Sequence, residues 1–93
     1  MSYLVVHLWP GGTEDQYRAT IAAVHPDSGL PEGQVHHAAG PAEGGYLVST
    51  IWSSKDDCDR FVSEVLLGGP PAEGGFSGEP QVLEAEIANL QEG

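Results

Sequence analysis

Residues 34–52 read QVHHAAGPAEGGYLVSTIW, and this stretch decides the fold. Gln34–Ala39 and Tyr46–Trp52 are short strand-like runs, and the turn-forming Gly40-Pro41-Ala42-Glu43-Gly44-Gly45 between them predicts an antiparallel hairpin. N-terminal to it, Tyr3–Trp9 (YLVVHLW) alternates as a β-branched and aromatic strand and is broken by Pro10-Gly11-Gly12. Thr13 then reads as an N-cap, with Gln16 completing a capping box and Glu14 and Asp15 favouring the positive end of the helix dipole. The helix runs from about Glu14 to Val24 with Tyr17, Ile21 and Val24 on one face, and His25-Pro26 and Gly29 end it. On the other side of the hairpin, Ser53 and Ser54 offer a second N-cap. Cys58, Phe61, Val62, Val65 and Leu66 then fall at i, i+3, i+4, i+7 and i+8 of an amphipathic helix that Gly68-Gly69-Pro70-Pro71 stops. A glycine-rich loop leads to about Pro80, and the alternating Gln81–Leu90 is a fourth strand.

The order β-α-β-β-α-β is that of the split βαβ, or ferredoxin-like, α+β layout. Right-handed crossovers put the first and third strands in the centre of a four-stranded antiparallel sheet, with both helices on one face. The aliphatic sets Leu4/Val6/Leu8, Leu47/Ile51 and Leu83/Ala85/Ile87 are the expected floor for the helices. That leaves Tyr3/Val5/His7/Trp9, Tyr46/Val48/Thr50/Trp52 and Val82/Glu84/Glu86/Ala88 on the opposite face. So apolar a face is expected to be covered by a second copy, since self-complementary two-fold contacts are the commonest oligomer geometry. Pro-Ala-Glu-Gly-Gly-aromatic occurs at 41–46 and again at 71–76, which reads as turn composition and not as a repeat architecture.

Composition narrows the rest. Ninety-three residues make one domain, 1–93, with a thin core that favours self-association. The one cysteine, Cys58, excludes an internal disulfide framework and is expected as inert core. Fourteen acidic residues against three basic ones give a formal net charge of −11. Arg18, Lys55 and Arg60 are too few to neutralise phosphates, so neither nucleic acid nor an anionic membrane surface is an expected partner. No charged-then-apolar leader and no apolar run of membrane-spanning length is present, and the expected location is the cytoplasm.

Val35-His36-His37-Ala38-Ala39-Gly40-Pro41, Gly45-Tyr46-Leu47-Val48, and Trp52-Ser53-Ser54-Lys55-Asp56 with Phe61 together resemble the dimeric α+β-barrel superfamily. The similarity is greatest to its small antibiotic-biosynthesis-monooxygenase-like members, and it is weak over the last thirty residues. It implies a homodimer whose two sheets form a barrel, with helices outside and a pocket in each subunit. Members include cofactor-free oxygenases of phenolic polyketides, cyclases, isomerases and haem-degrading enzymes, so the fold does not choose the activity. Haem degraders carry a histidine on the second helix, and Lys55–Leu67 has none; no haem, other cofactor or metal is expected. Asparagine is also missing from the third strand, where some of the oxygenases have one.

Four histidines are the candidate proton carriers. His7 lies mid-strand, where Glu84 or Glu86 of the neighbouring strand could orient its ring as a general base; the competing role is a histidine satisfied at an interface. His36 and His37 point to opposite faces, and the resemblance selects His37, against the alternative of an edge-strand histidine touching solvent. His25 is expected to cap the first helix. The resemblance carries a pocket-lining tryptophan onto Trp52, with core packing as its alternative, while Trp9, Tyr46 and Tyr17 could supply further aromatic wall. The Gly68–Gly78 loop is either a lid or a plain connector.

Two functions follow as expectations. One is a small enzyme performing cofactor-free oxygenation, cyclisation or isomerisation of an aromatic, polyketide-like substrate, with His37 or His7 moving the proton. The other is a non-catalytic homodimer that binds a metabolite or partner.

Overall fold

A computed structural model describes residues 2–25, 29–66 and 73–91. Strands β1 (Tyr3–Pro10), β2 (Gln34–Ala42), β3 (Gly45–Trp52) and β4 (Gln81–Glu86) form an antiparallel sheet in the order β2-β3-β1-β4. Helix α1 (Glu14–Val24) follows β1 and helix α2 (Lys55–Phe61) follows β3, so the β-α-β-β-α-β layout and its central pair stand as expected. No described helix is long and apolar enough to cross a membrane.

Local chemistry sets the element ends. Thr13 Oγ1 accepts from Gln16 N–H while Gln16 Oε1 accepts from Thr13 N–H, so the capping box is reciprocal. Ser54 caps α2 by accepting from Asp57 N–H. Three boundaries differ from expectation. The β2–β3 pairing runs down to Ala42 opposite Gly45, leaving only Glu43 and Gly44 as the turn, with Gly44 at φ 87°. Helix α2 gives way at Val62 to a five-residue π-helical turn, Val62–Leu66, so one helical period does not continue to Leu66. Strand β4 stops at Glu86, short of Leu90. The second Pro-Ala pair and the Gly68–Pro71 stop lie outside the described residues.

The largest correction concerns the faces of the sheet. Tyr3, Val5, Trp9, Tyr46, Val48 and Trp52 are the buried core, packed under the helices with Cys58, Phe61, Val62, Tyr17 and Phe76. The aliphatic set Leu4/Val6/Leu8, Leu47/Ile51 and Leu83/Ala85 therefore lies on the open side, where Leu47 is 37% and Leu83 76% exposed. Both alternating sets are apolar, so alternation separates them without saying which meets the helices. The glutamates of β4 mislead because that strand is exposed along its whole length. The open face remains apolar, but it is aliphatic instead of aromatic. Ile87–Leu90 share a shallow depression there with Leu4, Ile51 and Ala85.

The buried residues form two separate clusters. Tyr3, Val5, Trp52 and Cys58 sit beneath α2, and Trp9, Tyr46 and Val48 lie toward α1. No residue of α1 is fully buried, because a cavity intervenes between it and the sheet.

A candidate active site between the first helix and the sheet

The cavity holds about 50 Å³ and is lined mostly by apolar side chains. Trp9, Val48 and Trp52 form its sheet side, and Phe61 and Val62 its α2 end. Tyr17, Ile21 and Val24 of α1 face them, one helical turn apart, which is why the sequence periodicity of that helix finds the wall. Six polar side chains besides Tyr17 share the lining. His7, Gln34, His37 and Thr50 come from the sheet, Thr20 from α1 and His25 from its C-cap.

Two of them, Gln34 and His37, are joined to each other and to Tyr17. The Tyr17 hydroxyl lies 2.6 Å from His37 Nε2, and His37 Nδ1 lies 2.9 Å from Gln34 Oε1. An amide oxygen only accepts, so Nδ1 carries the proton and donates it to Gln34, leaving the Nε2 lone pair to accept from Tyr17 O–H. Burial pushes the His37 pKa below the ordinary 6.5, which keeps this ring neutral, with one nitrogen unprotonated, at neutral pH. Burial, reinforced by Tyr46, raises that of Tyr17. The His25 ring meets His37 edge-on at a centroid distance of 4.9 Å, and burial together with His37 holds it below the usual value as well. His25 is thus a cavity residue as well as the C-cap of α1, where its backbone N–H donates to Ile21.

His7 is placed differently from expectation. Among the described residues neither ring nitrogen has a hydrogen-bond partner; Glu84 is engaged by Tyr3 O–H at 2.6 Å instead. Burial lowers the His7 pKa, partly opposed by Glu84, and the ring stacks 6.4 Å from Trp9. The bond to Glu84 pushes the Tyr3 phenol up to about 12. Cys58 lines the same cavity, with burial raising its thiol to about 11, as fits an inert core residue.

Of the aromatic candidates, Trp9 and Trp52 face the cavity directly. Trp52 is 2% exposed, and its Nε1–H donates to Thr50 Oγ1, which donates in turn to the Val5 carbonyl. Tyr46 stands behind the wall, stacked on Tyr17 at 5.1 Å. A glycine at 45 is required beside it, since a Cβ there would run into the Trp9 carbonyl. Phe76, the aromatic that ends the second Pro-Ala-Glu-Gly-Gly stretch and reads in the sequence only as turn composition, lies 4.8 Å from the Trp9 ring and within 10° of parallel, with its N–H donated to Thr20 Oγ1. Among the described residues no cluster of three or more His, Cys, Asp or Glu could hold a metal ion.

The arrangement is a ferredoxin-like α+β fold with a helix–sheet cavity, the fold of antibiotic-biosynthesis-monooxygenase-like proteins. Among solved structures the chain is similar to one from Chloroflexus aurantiacus J-10-fl described as a "putative Antibiotic biosynthesis monooxygenase", with a TM-score of 0.62 and 16% identity over 99% of this chain and 98% of that one. No family model and no curated protein matches the sequence.

Proposed function

We propose that the chain is a small cytoplasmic enzyme that deprotonates an aromatic, polyketide-like metabolite, opening it to oxygenation, cyclisation or isomerisation without a bound cofactor. One observation carries this reading: a half-buried imidazole, with Nδ1–H donated and Nε2 accepting, on a cavity walled mostly by aromatic and aliphatic side chains. His37 Nε2 is the proton acceptor, and a substrate hydroxyl would take the place that the Tyr17 hydroxyl now occupies. Tyr17, freed, can donate to the same substrate oxygen as its charge develops. Trp9 and Trp52 supply flat walls for an aromatic skeleton, backed by Tyr46 behind Tyr17. An ionised phenol reacts with dioxygen far more readily than a neutral one, so a poised base is the minimum equipment for oxygenation. His7, without a partner among the described residues, is the second candidate and would serve a proton elsewhere on the ligand.

We infer further that two copies pack through the aliphatic sheet face. Leu47, Leu83 and their neighbours on β1 form a continuous apolar surface, and a like surface on a second copy is its simplest cover.

Oxygen uptake with a panel of hydroxylated polycyclic aromatics tests the catalytic reading. Turnover by the parent protein that His37→Ala abolishes, with ligand affinity kept, supports it. Binding of such ligands with no turnover by either protein would overturn it in favour of a binding protein.

A further inference from the structure

We propose that Gln34 is a positioning residue that locks His37 in its Nδ1–H tautomer, and that the β-bulge at Val35 exists in the fold to put it there. The inference rests on the reading of His37 as proton acceptor and deepens it.

In an unbroken strand, residues three apart point to opposite faces, so Gln34 and His37 should never meet. The β2–β3 register shifts between Gln34 and His36, leaving Val35 as the extra residue, 49% exposed. Gln34 then pairs with Trp52 and His37 with Thr50, which places both side chains under the helices. Bulges re-aim side chains in this way and are found beside active sites. The result is unusual for this core: Gln34 is only 7% exposed, and its carbonyl oxygen lies 2.9 Å from His37 Nδ1.

The opposite arrangement is chemically poorer. If the Gln34 amide nitrogen faced Nδ1, the ring proton would sit on Nε2 and point at the Tyr17 oxygen. The Tyr17 O–H would then need another acceptor, and it has none among the described residues. Only the Nδ1–H tautomer lets the imidazole and the phenol each donate a proton, the imidazole to the amide oxygen and the phenol to Nε2. The remaining titratable ring against His37 is His25, the C-cap of α1, which meets it edge-on and makes no hydrogen bond to it among the described residues.

Nitrogen-15 correlation spectra of the His37 ring in the full chain read the tautomer without reference to turnover. The parent protein is expected to show the neutral ring protonated at Nδ1. Gln34→Leu should give a mixture of tautomers, and Gln34→Glu should retain Nδ1–H and raise the His37 titration midpoint by about one pH unit or more, as an opposite charge in contact does. A parent ring protonated at Nε2 overturns the proposal. So does a folded Gln34→Leu with unchanged tautomer, and if that variant does not fold, an unchanged midpoint in Gln34→Glu overturns it alone. A chain that turns over no substrate yet shows the expected spectra would remove the catalytic reading and leave the positioning role intact.

Discussion

Leu83→Ala measures what the open sheet face does. Leu83 is 76% exposed in the single chain, so trimming it removes almost nothing that the monomer packs. Buried against a partner, each of the three lost carbons contributes about 0.8 kcal/mol, or roughly 2.4 kcal/mol for the side chain. Scaling by the 76% still available to be buried gives about 1.8 kcal/mol per copy, and twice that, about 3.6 kcal/mol, in a two-fold dimer. The dimer dissociation constant should therefore rise roughly 400-fold, while the far-ultraviolet spectrum and the unfolding of the dissociated chain stay the same. Sedimentation equilibrium over a concentration series gives the constant directly. Val82→Ala is the matched control, because Val82 is 46% exposed but pairs with His7 and so lies on the helix side. A parent chain that sediments as a monomer, or equal weakening by the two substitutions, would refute the assignment of the aliphatic face as the contact.

Three further outcomes follow from the cavity. His7, His25 and His37 all have folded pKa values lowered by burial, so the native state prefers them neutral. Their contribution is fully present above the unfolded value of about 6.5 and is lost as pH falls through the folded values, so the urea midpoint should fall between pH 7.5 and pH 5.5; a rising midpoint would contradict the burial. Thr50→Val keeps the shape but leaves the buried Trp52 N–H without its acceptor, which should cost about 1–3 kcal/mol in urea unfolding. Tyr17→Phe removes the donor that favours neutral His37, so the His37 midpoint should rise by about 0.4–1 pH unit, from a hydrogen bond of about 0.5–1.5 kcal/mol. An unchanged midpoint in nuclear magnetic resonance titration would mean the 2.6 Å contact is not a hydrogen bond to Nε2.

Much of the fold was legible because period and punctuation agree. The alternation of YLVVHLW, the Thr13–Gln16 box and the Ser54 cap each point to one element, and all three form as expected. What failed was any inference needing knowledge of what lies above a strand. The aromatic set went to the wrong side because aliphatic residues make an ordinary helix floor, whereas here α1 stands off the sheet and long rings reach into the gap. His37 and Tyr17 were legible as chemistry-bearing residues; their union was not, because it joins a helix to an edge strand across the core. Gln34 was illegible for a sharper reason. Strict alternation puts residues three apart on opposite faces, and nothing local announces a one-residue bulge at Val35. Phe76 lies in a glycine-rich loop without periodicity; the repeated Pro-Ala-Glu-Gly-Gly before it matches it to Tyr46, but only its seat on Trp9 shows what it does.

That seat has a consequence for affinity. The ring of Phe76 already lies flat against Trp9, held by a chain segment whose Phe76 N–H bonds Thr20 and whose Gly74 and Gly78 carry left-handed backbone angles in open space. A planar molecule seeking the Trp9 face meets a tethered competitor at an effective concentration in the millimolar range. Whatever loosens the tether, such as a longer loop, would then register as tighter binding of the visitor, although no residue that touches the visitor has changed.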